Sequence, residues 1–184
     1  MQRTLLVVLM ALTVWPALAA EDVVWVKGCE TPLKVARVGD LASLKPLDRP
    51  LLEALSASMA TQGRNVEAAF SNADLSLLVT YNGVQAEGQI DDEGFETLKA
   101  TFLKNDAPLP DNVRSVNPGP FKAGPSDFRQ SFLQVLERPD GKTRQLGYGD
   151  VWVHFGACLA IVSLVATGAD LKEATRLLDL ISIP

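Results

Sequence analysis

The sequence predicts an α+β fold: a central antiparallel sheet flanked by helices, in one globular domain over residues 20–184. Three observations predict it. The stretch from Gly147 to Thr167 is the most apolar run after the first twenty residues. It is interrupted at Gly156, where a tight turn is cheapest, so it makes two adjacent strands through the middle of a core. Strand-like runs elsewhere come in pairs around short turn signals, with helical patterns at intervals and no regular strand–helix–strand repeat. Each helical pattern is preceded by an aspartate that can cap it.

Residues 1–19 have the form of a secretory signal peptide. Arg3 supplies the basic n-region, Leu5 to Trp15 the apolar h-region, and Ala17-Leu18-Ala19 the small-residue cleavage pattern. Cleavage after Ala19 is the first choice and after Ala20 the second. The apolar run is shorter than the about 20 residues a bilayer span needs, and no cysteine follows it to carry a lipid anchor. The expected destination is the periplasm.

Loss of Arg3 takes the 17 basic residues to 16 against 22 acidic ones, so the remaining chain is near −6. An acidic exported domain lacks the basic face that nucleic acids and anionic membranes require. Its length lets it bury about 70% of its unfolded surface without help from metals. Cys29 and Cys158 are the only cysteines. In an oxidising compartment they are expected to pair, closing a loop that stabilises the fold by about 4 kcal/mol. No C-x-x-C spacing supports a redox or metal pair.

In chain order, Asp22 to Lys27 is a β-rich run ended by Gly28, and a short strand is expected at Lys34 to Val38. Asp48 and Pro50 start a helix with Leu51, Leu52, Leu55 and Met59 on one face, stopped by Gly63. Asn65 to Phe70 and Leu75 to Tyr81 are strands, and Asn82-Gly83 is a turn leading to Val84–Glu87. Asp91-Asp92 starts a helix with Phe95, Leu98 and Phe102 inward. Residues 105–125 contain five of the eleven prolines, excluding a packed helix and predicting a long irregular loop that is a candidate binding segment. Asp127 to Arg138 and Thr143 onward are strands joined by the turn Pro139-Asp140-Gly141-Lys142. Asp170 caps a last helix with Leu171, Ala174, Leu178 and Ile181 on its apolar stripe.

Catalytic constellations are missing from the sequence. The single histidine, His154, sits within a strand pattern, and there is no G-x-S-x-G elbow, phosphate-binding loop, dinucleotide fingerprint or H-E-x-x-H. The Asp91-Asp92-Glu93 cluster fits helix-start electrostatics and lacks the alternating oxygens of a calcium loop. No catalytic, cofactor or metal residue is therefore assigned. By alternation Tyr148, Trp152 and His154 share one sheet face, which makes them a candidate patch for a protein partner or small ligand.

The order of elements after Asn65 resembles the PsbP-like α/β/α fold group. The resemblance runs through Phe70 to Tyr81, the helix from Asp92 to Leu103, the strands Asp127 to Glu137 and Leu146 to Ala166, and the helix Leu171 to Ile181. The helix at 49–62 and the cysteine pair lie outside it. The group implies non-enzymatic binding and assembly roles, and no functional residue is carried over. The expected function is that of an exported, non-enzymatic binding protein, one version being an immunity protein whose acidic surface meets a basic toxin. The alternatives are a hydrolase of unfamiliar type with His154 as base and a structural envelope component.

Overall fold

The computed structural model describes residues 19–61, 63–82, 90–103 and 113–183. The leader at 1–18, the hairpin expected at 83–87 and the first part of the proline-rich stretch lie outside the described residues. The fold is α+β. A seven-stranded antiparallel sheet carries a three-stranded antiparallel sheet and three helices.

Three strands form the small sheet in the order β1 (Ala19–Val24), β2 (Leu33–Val38) and β10 (Ile181–Ser182). The large sheet runs β3 (Lys45–Pro46), β4 (Arg64–Ser71), β5 (Leu75–Asn82), β9 (Cys158–Thr167), β8 (Thr143–Phe155), β7 (Asp127–Glu137) and β6 (Val113–Ala123). β8 and β9 form the expected hairpin, with Phe155 opposite Cys158 and Gly156 at a φ of 61° in the turn. β9 is buried from Cys158 through Leu164 without a break, which places it in the middle of the sheet with a cover needed on both faces.

The inner face is fully covered. Leu77, Val79, Val151, Val162 and Leu164 meet Val24, Leu33 and Val35 of the small sheet and Leu177 and Leu178 of α3 (Leu171–Leu178). Gly147 and Gly149 on β8 make room for α3, because a Cβ at either would come within 3.0 Å of Ala174 or Leu178. Cys29 and Cys158 are disulfide-bonded with Cα atoms 5.9 Å apart, tying the connection between β1 and β2 to the start of β9. Arg129 donates to the Ile181 carbonyl at 3.0 Å and holds β10 over β7.

Two expectations are corrected. The proline-rich stretch is not irregular throughout, since 113–123 form β6, an edge strand whose outer side needs no donors, so Pro118 and Pro120 are tolerated. The last helix ends at Leu178, and Ile181, expected on its stripe, belongs to β10.

Arg37 joins the layers. Only 4% exposed, it pairs with Asp22 at 2.6 Å, donates to the carbonyls of Leu41 and Leu44 at 3.0 and 2.9 Å, and lies 4.3 Å over the Phe70 ring. Those carbonyls belong to a 3-10 turn (Gly39–Ser43) and the residue following it. Arg37→Met leaves Asp22 unpaired, takes the Arg37 donor from the Leu44 carbonyl and leaves the Leu41 carbonyl with the Leu44 amide, so urea unfolding should show a loss of about 3 kcal/mol.

Candidate functional site

The outer face of the large sheet is covered in two places only among the described residues. α2 (Asp92–Phe102) lies at one end, capped by the Asp91 carboxylate on the Gly94 amide. Its Phe95 and Phe102 pack on Phe128 and Trp152 in an aromatic cluster, with Phe128 and Trp152 stacked at 5.6 Å. α1 (Arg49–Ala60) lies at the other end over β4, capped by Asp48 on the Leu51 amide. None of its residues is fully buried, and Leu51 is 56% exposed.

Between α1 and the sheet is a groove of about 460 Å³. Its floor is the β4–β5–β9 end of two rows of cross-strand neighbours. One row is Ala69, Leu78, Ser163 and Asp150; the other is Ser71, Ser76, Val165 and Tyr148. Ala69, Leu78, Ser71, Ser76 and Val165 line the groove together with Phe70, and Leu47, Leu51 and Leu55 form its wall. Ala69, Ser71 and Ser76 are too small to reach the helix, which is why an apolar space remains where a core would otherwise close.

The far ends of the rows form a buried polar network. Ser163 donates to one Asp150 carboxylate oxygen at 2.6 Å and the Tyr148 hydroxyl donates to the other at 2.5 Å. Burial raises Asp150 above the ordinary aspartate range, opposed by the two hydroxyls and by the charge of Arg64. Burial, followed by the Asp150 charge, likewise pushes Tyr148 above the ordinary tyrosine range, and Arg64 pulls it down. Tyr148 also stacks on Phe132 at 5.3 Å.

The three residues of the candidate patch share this face but do different things. Tyr148 belongs to the Asp150 network. Trp152 is packed under α2, and its buried indole N–H has no hydrogen-bond partner among the described residues. His154 stacks on Phe95 at 5.0 Å, with Nε2 3.1 Å from the Ile90 carbonyl and Nδ1 3.4 Å from Asp92. Both imidazole nitrogens are thus engaged in seating the start of α2. Asp150 and Ser163 were not singled out in the sequence, although alternation along β8 puts Asp150 on the face of Tyr148 and Trp152.

Among the described residues, no group of three or more His, Cys, Asp and Glu side chains is placed to hold a metal ion, and no helix is long and apolar enough to cross a membrane. The chain matches no known protein family, and no curated protein matches it either.

The buried carboxyl sets a pH dependence. Folding favours its protonated form, so its contribution to stability is present at acid pH and is lost as pH rises through the raised value. Asp150→Asn removes that titration while keeping shape. Denaturant unfolding of the two proteins from acid to neutral pH should show the variant gaining on the native protein as pH rises, then a constant difference.

Proposed function

We infer that the protein is an extracytoplasmic, non-enzymatic binding protein whose ligand seat is the groove under α1. The ligand class is a small molecule with an acyl-like apolar body. The observation that carries this reading is the groove itself, lined by Leu47, Leu51, Leu55, Leu78 and Val165 with only serine hydroxyls added. Its size falls within the range usual for small-molecule sites, and such sites are mostly apolar with a few fixed polar groups at one side. The Tyr148–Asp150–Ser163 network supplies a rigid margin: it cross-links β8 to β9 beside the floor, so the trough keeps its shape without a ligand. The signal-peptide pattern and the Cys29–Cys158 bond support an oxidising location outside the cytoplasm. The use of both His154 nitrogens at the start of α2 weighs against the hydrolase alternative, since a general base must be free to face its nucleophile.

Displacement of 1-anilinonaphthalene-8-sulfonate by laurate tests the reading. Native protein should bind laurate saturably at one site. Ser76→Phe fills the floor and should weaken binding about tenfold or more with thermal stability kept. Unsaturable binding, or equal affinity in the variant, would sink the proposal.

A further inference from the structure

A sheet edge presents unpaired N–H and C=O groups that recruit another strand unless they are blunted. The two sheets have four edges among the described residues, and three are blunted. β3 is two residues long and one of them is Pro46. β6 carries Pro118 and Pro120, and its register with β7 shifts twice. β10 spans two residues. β1 has none of these devices: it contains no proline and pairs with β2 in unbroken register from Ala19 to Val24.

The outward side chains along β1 and the three residues after it, as far as Lys27, where the chain begins to turn and the Lys27 amide donates to Glu67 at 3.2 Å, carry a pattern. Glu21, Val23, Trp25 and Lys27 are exposed, while Val24 and Val26 between them are buried. Trp25, just past the end of β1, is 62% exposed and Val23 on the strand 54%, so this edge also bears an apolar pair in water. The row is acid, valine, tryptophan, base, and a strand running the opposite way meets it with base, tryptophan, valine, acid.

We propose that β1 is a homodimerisation edge, pairing antiparallel with a second copy about a two-fold axis at Val24. Glu21 then faces the partner's Lys27 and Val23 faces the partner's Trp25, each pair occurring twice. Opposite charges and aromatic–β-branched pairs are favourable cross-strand neighbours. Other registers lose the match. An axis at Val23 sets Glu21 against Trp25, an axis at Trp25 sets Val23 against Lys27, and an axis between residues opposes outward to inward side chains. The contact is self-complementary and closed, and it continues the small sheet across both copies.

Sedimentation velocity of the oxidised protein over roughly 1 to 100 μM, the range in which a small interface dissociates, tests both the dimer and its register. The native protein should pass from monomer to dimer. Glu21→Lys and Lys27→Glu each set like charges together twice and should each weaken dimerisation about tenfold or more. Mixed in equal amounts, the two variants restore opposite charges at both positions and should form a heterodimer. Both positions are exposed, and the charges that the reversals oppose within one copy, Lys34 beside Glu21 and Glu67 beside the Lys27 amide, belong to weak surface contacts, so each variant should melt within a few degrees of the native protein. A native protein that stays monomeric, a dimer indifferent to both reversals, or a mixture that fails to associate would each overturn the proposal.

Discussion

Burial of β9 on both faces is the constraint from which the architecture follows. A strand that is buried at every successive position from Cys158 to Leu164, six of them apolar, cannot sit in a sheet with one wet side. The molecule therefore needs three layers. The inner cover is complete, built from the small sheet and α3, and is fastened by the Cys29–Cys158 bond and the Arg129–Ile181 hydrogen bond. The outer cover comes from two separate helices. α2 seals its end with aromatic rings, whereas α1 stands over alanine and serine and leaves a groove. Incomplete cover on one face is thus where this fold has room for a ligand.

The buried carboxyl of Asp150 fits the same picture. An ionisable group at the centre of a sheet costs stability unless hydrogen bonds compensate it, and here two hydroxyls reach it from its own strand and the neighbouring one. The network lies beside the groove floor and gives that part of the sheet a fixed geometry. It is a positioning element. The inferred dimer edge belongs to the inner cover, so pairing of two copies through β1 leaves the outer face open.

Much of the fold was legible because its signals are local. The hairpin turn at Gly156, the three aspartate caps and the inward stripe of α2 depend on residues close in sequence. β6 reads as loop in the sequence because proline argues against a central strand, and nothing local says that this segment lies at an edge. β10 merges with the last helix in the sequence pattern because Ile181 continues its apolar spacing. The groove was illegible for a stronger reason. Its floor exists only when β5 pairs with β9, and Ser76 and Val165 become neighbours through that long-range pairing alone. Of the network, Tyr148 was visible as an aromatic residue on a named face. Asp150 was within reach of the same alternation argument, and Ser163 was not, because its role depends on the β8–β9 register.

The central claim is that the functional surface is the groove under α1. Methyl-resolved NMR with added laurate tests it most directly. The account predicts shifts concentrated on the methyl groups of Leu51, Leu55, Leu78 and Val165, with Leu177 and Leu178 on the opposite face unmoved. Shifts centred on Val23 and Val24, or spread over both faces, would contradict it.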